Sequence, residues 1–295
     1  MREIAPAKIN LCLYVGPLRP DGYHELVSVM QAIDLADELE LTDSDRTADQ
    51  VRCQDVEGPN LAERALAAFR EHTGWDGPPQ LLQIEKRIPV AAGLGGGSAD
   101  AAATLRLLAR RSGRGSRADL LEIATSLGAD VPSQLQPGRW LAQGVGERLT
   151  PLDDAEPLGI VLLPSSARLS TAAVYAQADR LGLCRRADEL VAALEALDPN
   201  SPEPVNDLEP AARSLETTID GAIETVRREG ASRAFLSGSG PTVVGLFPTL
   251  QHARLAVERL NAAGVPAGPV NTVPAALEQP QIGRASCRER VCWIV

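Results

Sequence analysis

The stretch IPVAAGLGGGSADAA, residues 88–102, sets four glycines in five positions and then runs into alanines. Glycine gives up more conformational freedom on folding than any other residue, so such density implies that something must come close to this backbone. Upstream, LLQIEKRIPV has the composition of a strand. Downstream, SADAAATLRLLARR is alanine-rich and helical in spacing, with Ser98 placed to cap it and Asp100 in its first turn. A strand, a glycine loop and a helix N-terminus together make an anion cradle: backbone N–H groups and the helix dipole point at the ligand, and missing side chains let a phosphate approach. Two common versions do not fit. No lysine follows the glycines as a Walker loop requires, and Ser98 stands where a dinucleotide fingerprint needs its third glycine. A flexible connector is the competing reading, disfavoured by the helical segment it abuts.

The basic residues narrow the chemistry further. Of 29 lysines and arginines only Lys8 and Lys86 are lysines. Where composition drifts to arginine, a retained lysine marks a place where a compact ammonium does what a planar fork cannot. Tyrosine is equally scarce, at Tyr14, Tyr23 and Tyr175. The net charge of −10 and pI near 4.9 argue against general nucleic-acid or anionic-membrane binding. The five cysteines (12, 53, 184, 287, 292) show no paired metal spacing and no disulfide-scaffold density. No apolar run has the length of a membrane span, and the N-terminus lacks a signal-peptide core, so the cytosol is the expected location.

These residues need elements to hold them. KINLCLYVG alternates as a strand and puts Lys8 and Asn10 on one face; HELVSVMQAIDLADELEL continues in strand-compatible patterning after a Pro-Asp-Gly turn. NLAERALAAFREH is a helix with Asn60 as N-cap, and SRADLLEIATSLG opens on a Ser116–Asp119 capping box and stops at Gly128. RWLAQGVGERLTPL and GIVLLP predict strands. Three helical stretches follow, STAAVYAQADRLG, ADELVAALEAL and VNDLEPAARSLETTIDGAIETVRREG, the last as one unit. SRAFLSGSGPTVVGLF predicts strand, tight turn and strand; a helix, LQHARLAVERLNAAG, and a short strand, VNTVP, close the fold. Paired strands and helices in blocks predict an α+β fold. A boundary near Pro151–Pro157 divides the chain into 1–152 and 153–281, and the patternless 282–295 reads as a non-native tail.

The loop P-x-x-x-G-L-G-G-G-S, with APAKINLCLYVG before it and LSGSGPTVVGLF after it, closely resembles the three motifs of the GHMP kinase superfamily, in family order across nearly the whole chain. The resemblance implies a two-lobed fold, ribosomal-S5-like at the N-terminus and ferredoxin-like at the C-terminus, with the active site between the lobes. It implies an ATP-dependent kinase using Mg2+, whose ligands no carboxylate spacing identifies. Residues Pro89, Val90, Ala91, Ala92, Gly93, Leu94, Gly95, Gly96, Gly97, Ser98 and Ala99 would hold ATP, with Asn60 and Lys86 near the nucleoside; Asn60 as a plain helix cap is an equal reading. Asp130, in LGADVP, would accept the proton of the attacking hydroxyl, and Lys8 would orient it and offset charge. Outside that context such an aspartate reads as a turn or cap residue. The segments RPDGYHELVSVMQAIDLAD, LGADVP and STAAVYAQADRLG narrow the resemblance to the branch that phosphorylates the 2-hydroxyl of a cytidylated methylerythritol in the non-mevalonate route to isoprenoid precursors. By the same resemblance Tyr23 and Tyr175 stack on cytosine, and Asn10, His24 and Thr171 contact the substrate; Tyr175 as a helix core residue is the alternative. Gly238, Ser239 and Gly240 form either a turn packed on the phosphate loop or a simple hairpin. SQLQPGRW, after GADVP, departs from the family pattern. Rival functions are a GHMP kinase for another alcohol and an inactive binding protein on the same fold; the latter should lack Lys8, Asp130 or the loop, and none is lacking.

Overall fold

In the computed structural model the described residues are 1–272, apart from 54–59, 154–158, 166 and 168; the stretch 282–295, read as a non-native tail, lies outside them. β1 (Arg2–Leu18) and β2 (His24–Asp43) form a long antiparallel pair whose register slips between Pro6 and Lys8 and again between Asn10 and Cys12. Such slips bend a strand and re-aim side chains. They bracket Lys8 and Asn10, whose side chains meet. The alternation in β1 is not an inside–outside one, because residues Ala5 to Val15 are buried along both faces.

β3 (Gln50–Cys53), α1 (Leu61–Thr73) and β4 (Gln80–Glu85) follow, then α2 (Gly96–Ser112), α3 (Arg117–Leu127) and the single turn α4 (Val131–Gln134). β5 (Arg139–Gly144) and β6 (Arg148–Pro151) complete a sheet in the order β3-β4-β2-β5-β6, with β1 also on β2. Helices α1, α2 and α3 cover one face, burying Leu66, Phe69, Leu105, Leu108 and Ile123 against Leu39, Leu82 and Ile84. α3 has the expected capping box, with Ser116 Oγ accepting from the Asp119 amide and Asp119 answering to that of Ser116.

β7 (Gly159–Leu163) opens a second sheet. After α5 (Thr171–Leu181), α6 (Ala187–Ala196), α7 (Glu209–Leu215) and α8 (Thr218–Arg228) come β8 (Arg233–Leu236), β9 (Val243–Phe247), α9 (Leu250–Ala262) and β10 (Gly268–Val270). Its order, β10-β7-β9-β8, is fully antiparallel, the split βαβ pattern of ferredoxin-like domains. The α+β class is therefore the observed one. A shared core of Ile9, Val29, Ile33, Ile88 and Leu94 against Ile160, Leu162, Phe235 and Val244 joins the two sheets.

Three local expectations are corrected. α2 begins at Gly96, so Ser98 and Asp100 lie inside it, and its N-cap is Gly95, left-handed at φ 69° with no side-chain cap. The stretch 205–230 is two helices, because Glu216 is extended and its carboxylate takes the Thr218 amide and hydroxyl. The last strand, Gly268–Val270, starts two residues ahead of VNTVP and shares Val270 with it, Thr272 makes an isolated bridge to Ile33, and residues 273–274 lie outside the described residues. β3 and α4 carry no sequence pattern strong enough to predict them.

Candidate active site

Lys8 sits mid-strand in β1, almost fully buried. Its Nζ donates to Asn10 Oδ1 at 2.7 Å and lies 3.2 Å from Asp130 Oδ2. Asn10 is fixed in turn: its Nδ2 donates to Ser28 Oγ at 2.8 Å, and that hydroxyl donates to the Cys12 carbonyl at 2.6 Å. Asn10, expected against substrate, therefore uses its amide to aim Lys8. Asp130 precedes α4 in the N-cap position, yet makes no capping bond. Its carboxylate faces Lys8 and keeps a third of its surface in solvent, where a reacting hydroxyl can reach it.

The glycine loop closes over this pair. Its glycines have different causes. At Gly93 (φ 76°) an added Cβ would lie 2.5 Å from the Ser237 carbonyl; at Gly95 it would meet the Lys8 stem at 3.0 Å. At Gly96 it would meet Ile88 Cγ2 at 2.9 Å, whereas at Gly97 the one neighbour within 4 Å is Leu61 Cδ1 at 3.8 Å. Nothing in the protein itself forbids a side chain at Gly97, which lies exposed at the start of α2. Ala91 also has positive φ, at 56°, a conformation alanine rarely adopts and one that clusters at functional sites. Pro89 and Val90 lead into the loop, the latter exposed; Ala92 and Leu94 are buried and accept from the Thr242 and Lys8 amides through their carbonyls, and the Ala99 amide returns to the Gly95 carbonyl. The first amides of α2 have no intrahelical acceptor and no side-chain cap.

The third-motif turn is packed on this loop and is no free hairpin. Ser237 Oγ donates to the Gly93 carbonyl at 3.1 Å and accepts from the Asn10 amide at 3.3 Å. The Gly240 amide closes the turn onto the Ser237 carbonyl at 2.9 Å, a Cβ on Gly238 would meet Asn10 Oδ1 at 3.1 Å, and Ser239 shares a 3.0 Å hydroxyl contact with Thr171. Asn206 Nδ2 clamps the turn through the carbonyls of Leu236 and Gly238. Sequence reasoning missed Asn206, whose Asn-Asp context reads as ordinary capping; Ser237 was visible within the third motif.

Lys86 lies beneath the loop, not open to it. Its Nζ is held by Asp37 at 2.5 Å and Asp100 at 2.7 Å, and Asp37 also accepts from the Arg87 and Ile88 amides. Burial pushes the Asp100 carboxyl up to about 7, with Lys86 opposing and the Asp37 charge adding to the rise; the two carboxylates hold Lys86 above its ordinary value despite burial. The expected nucleoside contact is thus a brace between β2, the strand leading to the loop, and α2. Asn60 Oδ1 accepts from the Glu63 amide at 2.9 Å, the plain helix cap, with α1 beginning beside Gly97.

On the other side of Asp130 stand the aromatic residues. The Tyr175 ring lies 5.4 Å from that of His24, tilted by 33°, and packs on the C-terminal core. Burial, then the nearby Asp130 charge, pushes the Tyr175 hydroxyl upward, so it stays a neutral phenol. His24 is buried, with Nδ1 2.9 Å from the Gly16 carbonyl; Tyr23, its neighbour, is 62% exposed. Tyr14 faces the Arg185 guanidinium instead.

A bound nucleotide phosphate fits this site. Gln134 Nε2 is buried without a hydrogen-bond partner and would lie 3.6 Å from a Gly95 Cβ, so an orphaned donor sits beside the left-handed turn that opens α2. A glycine loop at a helix N-terminus, braced from below, with a lysine–carboxylate pair at its edge, defines a small-molecule kinase. The comparisons agree. Residues 60–138 match the GHMP kinases N terminal domain and residues 180–266 the GHMP kinases C terminal domain. A 4-diphosphocytidyl-2-C-methyl-D-erythritol kinase from Anaeromyxobacter dehalogenans is 42% identical over 263 residues, 85% of this chain and 82% of that protein. One from Streptomyces avermitilis is 39% identical over 278 residues, 88% of this chain and 92% of its own. A crystal structure of 4-(cytidine 5'-diphospho)-2C-methyl-D-erythritol kinase superposes with TM-score 0.76 at 36% identity, over 92% of this chain and 99% of that one. The chain belongs to the GHMP kinases, ATP-dependent enzymes that phosphorylate small-molecule alcohols.

Proposed function

We propose that this enzyme phosphorylates the 2-hydroxyl of 4-diphosphocytidyl-2-C-methyl-D-erythritol, in the cytosolic non-mevalonate route to isoprenoid precursors. The observation that carries the reading is the convergence of Lys8, Asp130, His24 and Tyr175 from separate elements, with the glycine loop closing one side. Relatives 39–42% identical to the chain bear the name of that kinase.

In this reading the amides of Gly96, Gly97 and Ser98 and the Gln134 amide bind the ATP phosphates. Asp130 takes the proton of the acceptor hydroxyl as its oxygen attacks the γ-phosphorus and the bond to the β–γ bridging oxygen breaks, and it later returns that proton to solvent. Lys8 holds the Asp130 carboxylate in place and offsets charge on the moving phosphoryl group. Tyr23 and Tyr175 flank the cytosine, with His24 beside it. Mg2+ belongs to the same reading: it would be held chiefly by the phosphates and would need few protein ligands, with Asp130 the carboxylate that faces Lys8. Residues 1–152 and 153–281 act as two lobes, a division supported by the change of sheet between β6 and β7. The acceptor is taken to be a small molecule alone, with no role for nucleic acid or membrane; among the described residues no helix is long and apolar enough to span a bilayer.

ADP release measured across a panel of alcohols tests the assignment. Turnover should be highest with the cytidylated methylerythritol and small with mevalonate or homoserine; preference for either of those would overturn it.

A further inference from the structure

The geometry points to a zinc site outside the phosphate loop, formed by His24, Asp179 and Cys184. His24 opens β2; Asp179 lies in the last turn of α5 and Cys184 just beyond its Gly182 cap. His24 Nε2 is 3.3 Å from Asp179 Oδ1, and Cys184 Sγ is 3.4 Å from that same oxygen. The three ligand atoms all lie within 4.8 Å of one another, and no other such trio occurs among the described residues. A tetrahedral ion with bonds of about 2.0–2.3 Å sets its ligands roughly 3.3–3.8 Å apart, so two edges of the tetrahedron already have the right length.

The histidine supplies an independent argument. The Gly16 carbonyl, 2.9 Å from Nδ1, can only accept a hydrogen bond, so Nδ1 carries a hydrogen and Nε2 is the ring nitrogen turned toward Asp179. A lone pair and a carboxylate oxygen at 3.3 Å attract only with a cation between them, a proton or a metal ion. A carbonyl on the remote ring nitrogen is also the arrangement that orients metal-binding histidines. Cys184 now donates its thiol hydrogen to Asp179; the metal would displace that proton to solvent and bind the thiolate. Imidazole, thiolate and carboxylate suit zinc, whereas Mg2+ prefers oxygen ligands alone. Asp179 is half exposed, which opens a path for the ion and leaves a fourth position free.

The consequence for catalysis rests on the acceptor placement proposed above. The Tyr175 ring is 5.4 Å from the His24 ring, so zinc on His24 would occupy the cytosine's place and compete with the acceptor but not with ATP.

Cobalt(II) serves as the probe on the full-length protein, read by its thiolate charge-transfer band and visible d–d bands. One equivalent should give both in the wild type, zinc should bleach them, and Cys184→Ala should lose them. Asp179→Asn should also lose them, which covers the case of a misfolded Cys184→Ala. The other cysteines can bind cobalt too, so the difference between wild type and variant is the signal. With Mg2+–ATP saturating, zinc should raise the acceptor KM several-fold in the wild type, leave the ATP KM unchanged, and leave Cys184→Ala unaffected. No difference band overturns the site. A difference band without competition leaves the zinc site standing and overturns its overlap with the acceptor.

Discussion

Lys8 Nζ lies 3.2 Å from Asp130 Oδ2 and 2.7 Å from Asn10 Oδ1, so one ammonium, delivered by a strand bulged on both sides, ties the candidate base to the third-motif turn. The lysine stem runs along Gly95, where a Cβ would stand 3.0 Å from Cγ. Lys8→Arg should therefore fail although charge is conserved, because a planar fork cannot enter a point-charge site of this width. We expect turnover to fall by about two orders of magnitude, in the range lost with one transition-state contact. Wild-type turnover in a folded Lys8→Arg enzyme would show that charge alone suffices.

Gly97 separates ligand from packing. It is the second residue of α2, exposed, and an added Cβ meets nothing closer than 3.8 Å. Gly97→Ala should raise stability by about 0.5–1 kcal/mol through helix propensity and backbone entropy. The same methyl should raise the ATP KM if phosphates come close there. Thermal melts beside ATP kinetics check both; greater stability with unchanged ATP affinity would place the phosphates elsewhere.

The brace beneath the loop should be costly to break. Lys86→Met leaves Asp37 and Asp100 buried without their cation, and should cost about 3–5 kcal/mol in a urea melt. Asp100 adds a pH signature. Its carboxyl is raised to about 7 in the fold, against an unfolded value near 3.8. The folded chain thus holds the extra proton within that window, so this stability is full below it and is lost as pH rises through about 7. Asp100→Asn should flatten that slope; an unchanged slope would assign it to another group.

Much of this was legible in the sequence, and the limits are physical. Lys8 and Asn10 share a face because strand side chains alternate, a local rule that survived the bulges on either side. The Ser116 capping box is local too. Ser98 misleads because serine is good capping chemistry, while the left-handed backbone of Gly95 caps the helix three residues earlier. The partners of Lys86 come from β2 and α2, which no spacing rule brings together, so a residue expected against the nucleoside proved to be a brace. At the break, Glu216 is extended and its carboxylate bonds the Thr218 amide and hydroxyl, just where the β-branched run Thr217–Ile219 weakens helix propensity.

Tyr23 offers a cleaner test of stacking than Tyr175, which also packs on the core. Tyr23 is 62% exposed, so Tyr23→Ala should leave the melting temperature unchanged. Acceptor binding should weaken by about 1–3 kcal/mol, the usual loss for a base–aromatic stack, with ATP affinity untouched. An unchanged acceptor KM would remove Tyr23 from the site.

Asp130 is proposed to accept the proton of the acceptor hydroxyl. Asp130→Asn preserves size and can still accept from Lys8, but removes the basic oxygen. Single-turnover phosphoryl transfer, measured beside equilibrium binding of both substrates, tests it directly. The rate should be lower by about 10²–10⁴ with both ligands bound normally, and a Lys8→Arg, Asp130→Asn double variant should be scarcely worse than either single one. Single-turnover transfer at the wild-type rate would contradict it.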